Sequence, residues 1–422
     1  MNADRVILGR GVETTMDCQE TGINNNQLVV GTSGTGKTLS VVVPRMNETK
    51  NSSLIVTVAK RELVEMFAPV FRERGYKVYD LNFASPLKTK VGFDPLHFVK
   101  TPQDITCLAR AIVMADNRKN GSHADPYWDN AAISLLSSEI ALAISRATGG
   151  APSFSDVLEL HDSLDIKEDG SLISSSLDRE FRREEEKTGG KSFAVRCFKS
   201  FSSLPARTAG CVFSTLNITL DTIFTPEIRA LIRKRRQVNF EAIGSEKSVL
   251  FVTTSPVNQS LNAFVNLFYS QAFKSLYEYA ESLPGGALPV PTHIICDDFA
   301  ASGKIEGFAD LISVMRAKNM SATLLLQSDS QLMTMYGESS AVTIRNNCDS
   351  YLYLGGNDLQ TAREISLRLN LPLEDVLYMD LGKLIVFRRG HRPTFTDRYD
   401  ILNDASFLNV QKSYQERMGL NR

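Results

Sequence analysis

The sequence predicts an α/β protein. A mainly parallel sheet carries a phosphate-binding loop, and a largely helical insertion splits it. Three observations predict this. Short, continuously apolar runs alternate with helical stretches near both ends of the chain, the pattern of strands covered on both faces. The run QLVV (27–30) leads straight into GTSGTGKT (31–38). From about 101 to 240 the β-branched runs stop and helical periodicity takes over.

The elements follow in order. QLVV is the first strong strand, and an apolar helix start, LSVVVP, follows the glycine-rich loop. SLIVTV (53–58) is a second strand. A helical stretch runs from Arg61 to Arg74 and ends at Gly75, and KVYDL (77–81) is a third strand. In the insertion, AAISLLSSEIALAI (131–144) is too short for the ~18 apolar residues of a membrane helix and carries Glu139, so it reads as a buried helix. The polar stretch 166–191 reads as an exposed loop or a solvated helix face. Strands return at VLFVTT (249–254), THIICDD (292–298), ATLLLQ (322–327), DSYLYLGG (349–356) and KLIVF (383–387), with a polar helical tail after 400. The expected organisation is therefore 1–100 and 241–400 as the two parts of a nucleotide-binding domain, 101–240 as an all-α inserted domain, and 401–422 as a tail.

Composition narrows the function classes. The chain has 422 residues, 43% hydrophobic and 23% charged, with 47 Lys+Arg against 48 Asp+Glu. Those are globular proportions, so disordered and fibrous classes are excluded. A net charge of -1 means that any nucleic-acid contact must use a local patch. Six cysteines show no C-x-x-C pair or zinc spacing and read as reduced cytosolic thiols. The opening MNADRVILGRG has no apolar core of a signal peptide.

GTSGTGKT fits G-x-x-x-x-G-K-[ST] in every fixed place. Gly31, Thr32, Ser33, Gly34, Thr35, Gly36, Lys37 and Thr38 form the expected nucleotide-binding set. The glycines let backbone N–H groups turn inward around phosphate oxygens, and the next helix adds its positive end. Lys37 is placed for the β- and γ-phosphates and Thr38 for Mg²⁺. HIICDDFA (293–300) ends an apolar strand on Asp297 and Asp298, where an open α/β sheet places ligands. One carboxylate there can hold Mg²⁺ and its neighbour can polarise the attacking water. Gln327, at the end of ATLLLQS, can bond a γ-phosphate or orient water; taken alone it reads as an ordinary polar strand end.

With these residues in view, the chain resembles the TraG/TraD family of coupling-protein ATPases of type IV secretion and conjugation. The resemblance rests on the loop after NNNQLVVG, on HADPYWDNAA (123–132), and on the stretch from ICDDFAASGK (295–304) through MRAKN (315–319) and LLLQSDSQL (324–332) to NNCDSYLYLGGND (346–358). It covers most of residues 5–400. It implies a RecA-like P-loop NTPase with an inserted all-α domain, ATP and Mg²⁺ as ligands, and a homohexameric ring that moves single-stranded DNA or a DNA–relaxase complex toward a secretion channel. The implied partners are the relaxase and its relaxosome proteins and the components of the type IV channel. The implied location is the cytoplasm, at the inner face of the membrane where a partner anchors it. Lys37 and Thr38 carry over as nucleotide ligands, Asp297 as the Mg²⁺ carboxylate, Gln327 as the γ-phosphate sensor, and Arg316 as the arginine that reaches a neighbouring subunit's nucleotide.

Three departures stand out. The family usually carries an N-terminal membrane domain, and none is expected here. Asp297-Asp298 stands where the family often has Asp-Glu, so Asp298 reaches less far toward a water. The second strand ends Val58-Ala59-Lys60 in place of Asp-Pro-Lys. Two other readings stay open: a cytosolic FtsK-type DNA translocase, and a nucleotide-gated docking platform with little hydrolysis. RALIRKRRQ (229–237) is either a DNA-path lining or a solvated helix end. Trp128 reads as a core tryptophan, with base stacking as the alternative. The scattered histidines indicate no metal besides Mg²⁺.

Overall fold

The computed structural model describes residues 3–115, 126–147, 150–164, 176–255, 261–297, 299 and 304–419. The chain divides into two compact units. One comprises Met1–Ala84, Asn239–Gln259 and Ala272–Arg422; the other comprises Ser85–Val238 and Ser260–Gln271.

The first unit opens with a hairpin, β1 (Arg5–Gly9) and β2 (Val12–Thr15). Its sheet strands are β3 (Gln27–Val30), β4 (Ser53–Val58), β5 (Lys77–Asn82), β6 (Ser248–Thr253), β7 (Thr292–Cys296), β8 (Met320–Leu326), β9 (Ser350–Tyr353), β10 (Lys383–Arg388) and β11 (Thr394–Asp397). Among the described residues these nine lie in the order β11-β10-β9-β3-β8-β7-β4-β6-β5. From β9 to β5 all neighbours are parallel. The β10–β11 hairpin adds an antiparallel edge.

The eight strands expected from apolar runs are all present, because their residues are almost wholly buried. Four stop earlier than expected: β6 at Thr253 and β8 at Leu326, each by one residue, β7 at Cys296 and β9 at Tyr353, which leaves Asp297 and Leu354 in loops at the sheet's carboxyl end. Three strands were not expected. β2 and β11 hold no fully buried residue, and β1, although four of its five residues are buried, is only a short apolar run after Arg5. β1 pairs with β2, and β11 with β10, as local hairpins, and Arg10 N–H joins the two hairpins on the Asp397 carbonyl at 2.9 Å.

Side chains alternate across the sheet. Val29, Val56, Ile295, Leu325 and Leu352 face a core built with Val41–Val43 and Met46, with Phe67 and Phe71 of the helix Arg61–Glu73, and with Phe407 and Val410 of the helix Ala405–Met418. Phe67 and Phe407 stack at 6.2 Å, so the polar tail closes one face of the sheet. On the other side Phe299, Phe308 and Tyr336 cluster, with ring centroids 5.3 to 6.3 Å apart.

The second unit is helical where described: Pro102–Met114, Pro126–Arg146, Phe154–Asp162, Ser176–Thr188, Phe193–Ser202, Ala206–Ile223 and Pro226–Ile232. Thr101 with Asp104, and Ser153 with Asp156, make capping boxes that start two of these helices. The apolar run 131–144 is the buried core of Pro126–Arg146, and its Glu139 carboxylate meets His161 Nδ1 at 3.0 Å with both side chains buried. No described helix is long and apolar enough to cross a membrane. In the polar stretch, Ser176–Thr188 is a helix with Leu177, Phe181 and Glu184 buried; residues 165–175 lie outside the described part.

Trp128 corrects an expectation. It is 41% exposed, because it sits in the first turn of Pro126–Arg146, where the edge-on ring of Tyr127 meets it at 6.0 Å. The basic run is partly neutralised within its own unit. Arg229 lies 3.3 Å from Asp221, Arg233 lies 3.5 Å from Glu159, and Lys234 bonds the Leu87 carbonyl.

Candidate nucleotide site

The carboxyl ends of β3, β8 and β7 bring the expected site residues together. Val30 lies beside Leu326 in register, and Gly31 N–H donates to the Leu326 carbonyl at 3.2 Å. The loop then turns through Gly34 and Gly36, both at φ +83°, a backbone region that only glycine enters without strain. Thr35 Oγ1 donates to the Thr32 carbonyl at 2.8 Å and closes the loop. Lys37 Nζ bonds the Gly31 and Thr32 carbonyls, so the ammonium spans the mouth of the turn.

The following helix departs from a plain α-helix. Thr38–Val42 is a π-turn that passes into Val43–Glu48, and Pro44 follows it immediately. The Pro44 ring removes one backbone donor, and a wider turn is a known resolution of that loss. Ser40 ties the turn back to the Gly36 carbonyl through N–H at 2.9 Å and Oγ at 2.7 Å.

Thr38 Oγ1 donates to Asp297 Oδ2 at 3.0 Å across 259 residues of sequence. This bond joins the two oxygen donors expected at Mg²⁺. Among the described residues no group of three or more His, Cys, Asp or Glu could hold a metal. One hydroxyl and one carboxylate suit an ion that takes its other ligands from phosphate and water. Gln327 follows β8, next to Gly31, with its side chain exposed and its N–H on Gln331 Oε1 at 3.0 Å. Asp298 lies outside the described residues, as do His123, Ala124 and Asp125 of the family-like insert segment.

Arg316 is not part of this cluster. It precedes β8, so the seven residues of that strand, about 20 Å at 3.3 Å each, separate it from its own chain's loop. Its guanidinium is exposed and donates to the Cys18 carbonyl at 3.0 Å.

One residue at the loop has no signal in the sequence. Arg398, just past β11, donates through Nη1 to the Thr35 carbonyl. A Cβ placed on Gly36 would lie 2.5 Å from that nitrogen. A lone arginine in a polar stretch reads as surface, and only the return of β11 to the loop end of the sheet brings it here. Arg61 makes a two-pronged pair with Asp80, at 2.6 and 2.7 Å, and adds Thr253 Oγ1 at 3.0 Å, next to the strand end where the family motif would place an aspartate.

Fold and site together define an α/β protein with a phosphate-binding loop at the carboxyl end of a parallel sheet. The chain belongs to the type IV secretory system conjugative DNA transfer family, whose model matches residues 4–369. Among solved structures, the bacterial conjugative coupling protein TrwBdeltaN70 in complex with sulphate is similar at TM-score 0.63 and 16% identity, over 94% of this chain and 90% of that one. The plasmid coupling protein TrwB in complex with ADP and Mg²⁺ is similar at TM-score 0.62 and 15% identity, over 94% and 88%. VirB4 of Thermoanaerobacter pseudethanolicus is similar at TM-score 0.58 and 12% identity, over 96% and 97%. These likenesses establish the RecA-like fold. Comparison with curated protein sequences finds no match.

Proposed function

We propose that this chain is a coupling ATPase that recruits single-stranded DNA, alone or bound to a relaxase, and moves it toward a type IV secretion channel. The observation that carries the reading is the Thr38–Asp297 bond beside the glycine-rich loop, in a chain of the conjugative DNA transfer family. The similar protein TrwB has been solved with ADP and Mg²⁺, which supports ATP and Mg²⁺ as the ligands here.

The residues divide the work. The inward N–H groups of residues 31–38 cradle the phosphates. Lys37 exchanges its bonds to Gly31 and Thr32 for phosphate oxygens. Thr38 and Asp297 hold Mg²⁺, which when bound offsets charge on the transferring group. Asp298 accepts a proton from, or orients, the attacking water, and Gln327 bonds the γ-phosphate from the neighbouring strand end. Arg316 is remote from its own site and serves the nucleotide of the next protomer in a homohexameric ring. The helical unit is the surface for relaxosome proteins. Contact with the channel, and through it with the membrane face, is made by the assembled ring.

ATP turnover by the full chain, with and without single-stranded DNA, tests the reading. Turnover should rise with DNA and vanish in Lys37→Ala. ATP bound without turnover in either condition would refute the motor and favour a docking platform. Unchanged nucleotide affinity in Lys37→Ala would refute the site itself.

A further inference from the structure

The order of strands sets the direction in which a nucleotide must lie. Asp297 and Gln327 follow β7 and β8, on one side of β3, while β9, β10 and β11 lie on the other. The Thr38–Asp297 bond marks the side of the metal and the terminal phosphates. A nucleoside attached to those phosphates therefore leaves toward β9–β11.

The groups on that side suit a flat, uncharged ring. β10 begins, and β11 ends, at the loop end of the sheet, with Lys383 opposite Asp397. Arg398 N–H donates to the Gly382 carbonyl at 2.8 Å, while its Nη1 holds the Thr35 carbonyl. Leu381, next to Gly382, is 95% exposed. Met379 Cε comes within 3.3 Å of a Cβ built on Gly355, whose carbonyl accepts Thr32 N–H at 3.2 Å. The segment 379–382 is thus linked to the phosphate loop through two intermediaries, Arg398 and Gly355. It leaves a large aliphatic side chain in water beside a guanidinium whose remaining face can stack on an aromatic system.

We propose that Leu381 and Arg398 form the nucleobase side of the site in the same chain. The base rests on the Arg398 guanidinium and covers Leu381. This assignment rests on the nucleotide reading above and adds the residues that distinguish a nucleoside triphosphate from a bare polyphosphate.

The test compares Mg²⁺-ATP with Mg²⁺-tripolyphosphate by titration calorimetry on the full chain. Leu381→Asn removes apolar contact at a side chain with no packing to lose. Arg398→Lys keeps the charge and removes the planar face. Each should weaken ATP by about tenfold, the loss expected from a leucine or a cation–π contact worth a little over one kilocalorie, and leave tripolyphosphate within about twofold. Equal losses for both ligands would make Arg398 a structural clamp on the loop and overturn the proposal. So would ATP affinity unchanged in Leu381→Asn, which cannot be ascribed to misfolding. Wild-type protein that binds neither ligand would overturn the phosphate site beneath it, a distinguishable result.

Discussion

Asp297→Asn isolates the electrostatic half of the site. In the native protein Asp297 Oδ2 takes the Thr38 hydroxyl at 3.0 Å. A magnesium ion bound to that hydroxyl at about 2.1 Å lies at most about 5 Å from the carboxylate oxygen. At that distance and an effective dielectric of about 20, each unit charge on the ion is worth about 3 kcal/mol. Desolvation and the waters shared by the ion reduce the net gain. A surviving 1.4 kcal/mol is already a factor of ten. The asparagine can still accept the Thr38 hydroxyl, so the loop should keep its shape. Titrations in Mg²⁺ and in a chelator read the result. ATP affinity should fall at least about tenfold in Mg²⁺ and change little without it. A variant that loses affinity equally in both conditions, or in neither, would refute the placement of the ion between Thr38 and Asp297.

Three further outcomes are expected. Arg316→Ala should bind ATP normally but turn it over about 10³-fold more slowly if the guanidinium acts in trans; mixing it with Lys37→Ala should restore part of the rate, and subunit exchange without rescue would leave it a surface residue. Burial alone would lower the His161 pKa, but the Glu139 carboxylate outweighs it and raises the value. His161→Ala strands that carboxylate and should destabilise the helical unit by about 3–5 kcal/mol in urea unfolding, whereas replacing both groups by apolar ones should cost far less. Burial is the largest single influence on Asp404 and opposes its ionisation, yet bonds from Ser406, Tyr399 and the Phe407 backbone together outweigh it and hold its pKa down at about 2. Its capping of Ala405–Met418 should therefore be complete above the ordinary carboxylate range and lost as pH falls toward 2. Asp404→Ala should cost about 1 kcal/mol, read as faster amide exchange at Phe407 and Val410.

Strands buried on both faces announce themselves by composition, so the sheet was legible from β3 to β10. The glycine-rich loop was legible because its geometry needs glycine at fixed places, and Asp297 drew attention because it ends an apolar strand downstream of that loop. The hairpin β1–β2 and the edge β11 were not legible. β2 and β11 hold no buried residue that would give an apolar run, β1 is only five residues long, and the pair that joins the two hairpins, Arg10 with Asp397, lies 387 positions apart. Trp128 misled because a large apolar ring suggests a core, whereas the first turn of a helix can leave it in water. Arg398 gave no sign, since its meaning depends on where two antiparallel strands return the chain.

The place of β3 between β8 and β9 also has a consequence for synthesis. Asn26, at its start, bonds Ala322 across 296 residues, and the loop it carries is finished only when Arg398 arrives. At roughly 5–20 residues per second, the ribosome takes some 15–60 seconds to make that intervening chain. The helical unit, whose partners are near neighbours in sequence, is complete well before then. The nascent protein therefore holds this buried strand unpaired for tens of seconds, while the segment that will complete the sheet is still untranslated. The loop gains its bond from Arg398 only near the end of translation.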